Sequence, residues 1–277
     1  MKALLKRNIK LYFRDKAALF FSFLSIIIII ALFALFLGQG GWDDTDIRDT
    51  WLMAGIMAVA AITLSIGAYD IVITDKLDKI AKGFYASPVK RSHITAAYVF
   101  SPFIVSVMMS FVVAIGFFIY LFAVGAPLPG AMGMVQLALL IILSNFAGTA
   151  VLGFLISFVK STGSWNTIGT LIGTLSGFLM GVYMPIGQLP SFVQYIMIVF
   201  PPYHSAMLFR QILMSEPLAA AYYTYGSETV AELQGLLGVT FNIGNFEVTP
   251  IISVVYLAAT AVLFFCLSVL NMRKLSK

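Results

Sequence analysis

Residues 51–91, WLMAGIMAVAAITLSIGAYDIVITDKLDKIAKGFYASPVKR, decide the fold. The first part, Trp51–Ile73, carries one charged side chain, Asp70. It is long enough to cross a hydrocarbon core, which needs about 20 apolar helical residues. The run is continuous and lacks period-2 alternation, so it is a helix rather than a barrel strand. Directly after it, Thr74–Arg91 holds five basic residues: Lys76, Lys79, Lys82, Lys90 and Arg91. Cytoplasmic loops of membrane proteins hold an excess of Lys and Arg, so the span exits toward the cytoplasm.

The same pattern extends in both directions. Five further segments have spanning length: Ala17–Leu37, Pro102–Phe122, Met134–Val159, Thr167–Ile186 and Ile251–Leu270. Lys2, Lys6, Arg7, Lys10, Arg14 and Lys16 precede the first, Lys160 stands at a third basic junction, and Arg273, Lys274 and Lys277 close the chain. The alternate junctions carry only Arg48 and Arg210 against eight acids, Asp43, Asp44, Asp46, Asp49, Glu216, Glu228, Glu232 and Glu247. The expectation is an all-α polytopic membrane protein with six transmembrane helices and both termini cytoplasmic. Trp42 and Trp51 flank the first outer loop as interfacial aromatics.

Composition agrees. Apolar residues make up 60% of the 277 and charged residues 10%, far below the quarter usual for soluble domains. Nothing is long and polar enough for a soluble catalytic domain, so a single domain, 1–277, is expected. The net charge of +5 is topological: it faces anionic headgroups or a cytosolic partner rather than nucleic acid. The single cysteine, Cys266, excludes a disulfide within the chain. The basic start followed by apolar residues is retained as a span rather than cleaved, because 17–37 is longer than a signal h-region.

Ahead of that span, Leu4, Leu5, Ile9, Tyr12 and Phe13 recur at helical spacing, while Lys2, Lys6, Lys10 and Arg14 take the other face. Residues 1–16 therefore form an amphipathic helix in the headgroup plane, either a topology anchor or a docking surface. Ser191–Phe200, then Pro201-Pro202, then Tyr203–Met214 read as two short helices dipping into the outer leaflet, since ten to fourteen residues suit a re-entrant piece. Ser215–Thr249 reads as a polar outer loop, so that 187–249 lies outside.

Gly169, Gly173, Gly177 and Gly181 make three successive GxxxG steps, a flat strip for close helix approach. Packing within one subunit and self-association are both open. Asp70 lies near the inner headgroups, where Lys76 or an interfacial base would partner it. His93 and His204 fall on opposite sides and form no metal site, and each suits an interfacial polar position. Asn145 suits interhelical hydrogen bonding. The chain contains no GxxxxGK[ST], GxSxG or HExxH motif, so no nucleotide cradle, hydrolase or zinc-protease chemistry is expected. Sparse charge in the spans points to a lipid-like or amphipathic cargo. An ion-coupled secondary transporter, or a non-catalytic membrane assembly protein, is the alternative; the first needs mid-membrane carboxylates or broken helices within the bundle.

These features together resemble a permease subunit of the ABC-2 type exporters. The leader Lys2–Lys16 is similar to that family's connecting helix, with Lys6, Arg7, Lys10 and Arg14 as its basic residues. The loop 74–93, within which 75–93 reads DKLDKIAKGFYASPVKRSH, resembles its coupling loop. There the resemblance implies ATPase-coupling roles for Asp75, Lys76, Asp78, Lys79, Lys82, Phe84, Tyr85, Pro88 and Arg91. The fifth span running into GVYMPIGQLPSFVQYIMIVFPPYHSAMLFRQIL (181–213) is similar to its Gly-rich helix and Pro-marked outer turn, which makes Pro185, Pro190, Pro201, Pro202 and Arg210 an outer gate.

The resemblance also implies a second permease subunit, homo- or heterodimeric, pairing through the first and fifth spans, with Gly169–Gly181 at the seam. It implies a separate cytosolic ATPase that holds ATP and Mg, with no cofactor on this chain, and a multi-pass position among the lipids of a bacterial plasma membrane. The implied cargo is a hydrophobic or amphipathic drug, lipid or antimicrobial compound. The loop begins with Asp75-Lys76 and Asp78-Lys79 where many relatives are rich in Glu and Arg, so the identity of the ATPase does not carry over.

Overall fold

The structure, a computed structural model, describes residues 1–32, 44–243 and 246–275. Trp42, Asp43, Lys277 and the end of the expected first span lie outside the described residues. Twelve α-helices run through the described residues: α1 (Lys2–Arg14), α2 (Lys16–Leu32), α3 (Thr45–Leu77), α4 (Ile80–Tyr85), α5 (Arg91–Val124), α6 (Ala131–Leu155), α7 (Thr162–Leu179), α8 (Ser191–Val199), α9 (Pro201–Leu213), α10 (Ser215–Tyr225), α11 (Ser227–Leu237) and α12 (Pro250–Leu275). Two-residue strands β1 (Asn242–Ile243) and β2 (Phe246–Glu247) pair antiparallel, a small departure from the all-α expectation.

The quoted stretch forms the central pole. Asp44 caps α3 by accepting from the Asp46 and Ile47 amides at 2.8 and 3.1 Å, bonds that satisfy otherwise orphaned donors. From Trp51 to Ser65 every residue of α3 is buried. A helix apolar on all sides must be covered on all sides, and α2, α5, α6, α7 and α9 supply the cover. α12 lies outside this ring on α6 and α9, and α1 packs on α5. α6 crosses α3 closely at Gly148, where a Cβ would stand 2.9 Å from the Ala61 carbonyl oxygen. Only glycine permits the two backbones to meet there. Asn145, one turn earlier, accepts from Ser110 of α5 at 3.1 Å and so does join helices as expected.

Among the described residues four helices are long and apolar enough to cross a membrane: α3, α5, α6 with its 3-10 extension to Phe158, and α12. They coincide with the second, third, fourth and sixth expected spans. The third is longer than expected. α5 begins at Arg91 and continues through Pro102, and this added start is held by Tyr98, which donates to Asp75 of α3, and Ser101, which accepts from Asn8 of α1. The fifth differs more: α7 covers Thr162–Leu179, not 167–186. Ser161 caps its start by accepting from the Ser164 amide at 3.1 Å, and Gly181, at φ +64°, turns the chain after its end. α8 and α9 meet at 96° across Pro201, a broken span or a re-entrant loop.

Two expectations are corrected. The segment 215–249 is not a loop: α10, α11 and the hairpin occupy most of it. Glu216 and Glu228 sit in first turns, where carboxylates favour helices, and Gly226 (φ +85°) separates the two. Trp51 is not an interfacial aromatic. It is buried, donating from Nε1 to the Leu237 carbonyl at 3.0 Å.

Candidate functional site

The foot of α3 gathers the two basic segments. Asp75, 2% exposed, accepts from Arg7 Nη1 and Nη2 at 2.6 and 3.0 Å and from the Tyr98 hydroxyl at 2.8 Å. The guanidinium stands 5.2 Å from the Phe84 ring centroid, near enough for cation–π attraction. Arg7 Nη1 also donates to Asn8, whose amide donates to Ser101 at 3.1 Å. One carboxylate thus joins α1, α3 and α5, with α4 stacked beside it. The bonds to Asp75 raise the Arg7 pKa above its ordinary value, against a smaller opposing effect of burial.

Lys76 turns inward as well, donating to the Ile156 and Val159 carbonyls at 2.9 Å each. It closes the end of α6 and its 3-10 turn, as cations do at helix C-termini. The other expected coupling residues divide by exposure. Asp78, Lys79, Lys82, Pro88 and Arg91 are exposed, Phe84 is half-buried, and the Tyr85 side chain lies outside what is described. Lys79 has a left-handed backbone (φ 62°) at the turn from α3 into α4, a conformation that costs about 1–2 kcal/mol outside glycine. On α1, Lys6, Lys10 and Arg14 stay exposed, while Tyr12 is buried and donates to Ser22 at 2.9 Å.

Asp70 corrects an expectation. It bonds neither Lys76 nor an interfacial base; Trp165 Nε1 of α7 donates to it at 2.6 Å. The two lie 95 residues apart in sequence, and only the packing of α7 on α3 brings them together.

At the opposite end of α3, Arg210 is fully buried on α9. Nη2 donates to the Met180 and Gly181 carbonyls at 2.7 and 2.8 Å, and the guanidinium stands 5.7 Å from the Trp51 ring centroid. The turn after α7 is therefore latched to α9 and α3. Pro190 caps α8, Pro201 and Pro202 open α9, and Pro185 precedes a 3-10 turn at Ile186–Gln188. His204 is buried rather than interfacial, held between Ser253 at 3.1 Å and the Ile198 carbonyl at 2.8 Å.

The glycine strip is not one continuous face. Gly169 meets Ile66 of α3, Gly173 faces open space, and Gly177 is covered by the Tyr183 ring. Gly181 lies beyond the helix in the turn. Tyr98, Asn8, Ser101 and Trp165 were not singled out from sequence. Each is an ordinary polar or aromatic residue at the edge of an apolar run, and its role depends on a partner far away in the chain.

A long buried pole, a ring of apolar helices and two basic elements locked to one foot define a helical membrane protein whose basic surface gathers at one end. The chain belongs to the ABC-2 transporter family: the family model described as ABC-2 family transporter protein matches residues 43–270. It is thus a transport subunit of the membrane, and membership implies an ABC ATPase as partner. No curated protein matches the chain.

Proposed function

We propose that this chain is the permease subunit of an ATP-driven exporter for hydrophobic or amphipathic compounds, driven by a separate ATPase that docks on α1 and α4. The observation that carries the proposal is the Arg7–Asp75–Tyr98 cluster. It welds the amphipathic helix and the foot of the pole into one body, while Lys6, Lys10, Arg14, Lys79 and Lys82 remain exposed beside it. A push on that basic surface passes directly to α3 and α5. Both termini lie on the cytoplasmic side in this scheme, with α2 and α7 completing six crossings. The bent pair α8–α9 then lies in the outer leaflet as a gate latched by Arg210.

In this scheme ATP and Mg sit on the partner, in keeping with a sequence that shows no GxxxxGK[ST] motif. A second permease subunit pairs along α2 and α7, which flank α3 and leave Phe20, Phe21, Leu171, Leu175 and Phe178 exposed. Exposed apolar residues alone also suit lipid, so the open stretch at Gly173 is the feature that favours a helix there. Affinity purification of the tagged chain from its native membrane tests the scheme. Recovery of a P-loop ATPase supports it. Purification without any nucleotide-hydrolysing partner, together with transport that survives ATP depletion, overturns it.

A further inference from the structure

We propose that the cleft between α9, α10, α11 and the β1–β2 hairpin binds a drug-sized amphiphile bearing a protonated amine. The cleft lies at the end of the bundle opposite α1 and α4 and has a volume of about 520 Å³, within the range of about 300–1,000 Å³ usual for small-molecule sites. Leu218, Val230 and Val248 supply apolar wall, and Tyr222 stands half-exposed at its side.

Its polar groups point to the charge of the ligand. Among the described residues no Lys, Arg or His lines it. The Glu247 side chain is exposed on the wall, and no described residue bonds it. Gln211 donates from Nε2 to the Val239 carbonyl at 2.9 Å, which fixes that part of the wall. An ammonium group pairs with the Glu247 carboxylate, and it can lie over the Tyr222 ring. An anionic head would be repelled by Glu247. A neutral head would gain hydrogen bonds but no Coulomb attraction. The apolar wall asks for a tail or ring beside the amine.

The site belongs to the single chain and needs neither ATP nor a partner, so its test stands apart from that of the exporter. The full chain in neutral-lipid nanodiscs is titrated by calorimetry with naphthylmethylamine and with its shape-matched alcohol and carboxylate, naphthalenemethanol and naphthoate. Empty discs correct for partitioning. The amine binds at least about tenfold tighter than the alcohol, and naphthoate binds weakest. Glu247→Gln brings the amine down to the level of the alcohol, which is unchanged, and Ala219→Trp, which fills the cleft, removes both. Both substituted positions are exposed, and an unchanged thermal midpoint verifies folding. Equal binding of amine and alcohol, a preference that survives Glu247→Gln, or binding that survives Ala219→Trp overturns the proposal.

Discussion

Arg7 grips Asp75 from 68 residues away, through two hydrogen bonds of 2.6 and 3.0 Å. The carboxylate is almost wholly enclosed, while about a third of the arginine side chain stays open. The pair sits where the surface helix α1 meets the base of the pole, so it carries any displacement of α1 into α3.

Removing one partner should therefore cost both stability and coupling. Asp75→Asn keeps one acceptor for Tyr98 but loses the ion pair, a cost of about 1–3 kcal/mol. The solubilised protein should unfold several degrees lower, and permease-stimulated ATP hydrolysis should fall. In an Arg7→Gln background the same change should cost much less, because neighbours in one network are not additive. A thermal double-mutant cycle checks this, and strictly additive losses would contradict the pairing.

Lys79 and Lys82 are exposed and form no ion pair among the described residues. Reversing both to Glu should leave the unfolding midpoint within the scatter of surface substitutions, about 0.5 kcal/mol. It should nevertheless reduce the ATPase recovered with the chain. Full recovery of the complex would remove these residues from the docking surface.

Arg210 has two carbonyls to satisfy, on Met180 and Gly181. Arg210→Met leaves both without their donor at a cost of about 1–3 kcal/mol each. Arg210→Lys restores only part, because a point charge lacks the planar fork. Limited proteolysis should cut the 180–190 turn faster in Arg210→Met than in Arg210→Lys, and faster in Arg210→Lys than in the parent.

Two glycines should respond in opposite ways. Gly148→Val drives a side chain into the Ala61 carbonyl and should prevent normal folding. Gly173→Val meets open space within the chain and should fold with an unchanged midpoint. If α7 lies at a subunit seam, Gly173→Val should also lower the fraction of paired permeases seen by native mass spectrometry. A folded Gly148→Val protein would contradict the close approach of α6 to α3.

Much of the fold follows from local pattern. The apolar length of 51–73 marks the pole, and Pro201-Pro202 marks the bend between α8 and α9, because both signals lie within one segment. The Gly-rich helix ends early because Gly181 takes up a left-handed turn, a choice that the regular four-residue spacing hides. Likewise 215–249 looks polar when averaged, although Leu218, Ala221, Val230 and Leu237 are buried, α10 packing on α3 and α9, and α11 on α10 and the Ile186–Gln188 turn. The site was legible only as residue types. Asp75 and Arg7 both stand out as charges near a span, yet the sequence places both among residues facing a partner. Their pairing, and that of Asp70 with Trp165, depends on the relative heights of three helices, which no local pattern encodes.

The most direct measurement places a photo-crosslinking amino acid at Lys82 on α4 and, in a second preparation, at Glu232 on α11, at opposite ends of the pole. After irradiation in native membranes, the account predicts that Lys82 captures a P-loop ATPase and that Glu232 does not. Capture of the ATPase from Glu232, with none from Lys82, would contradict it.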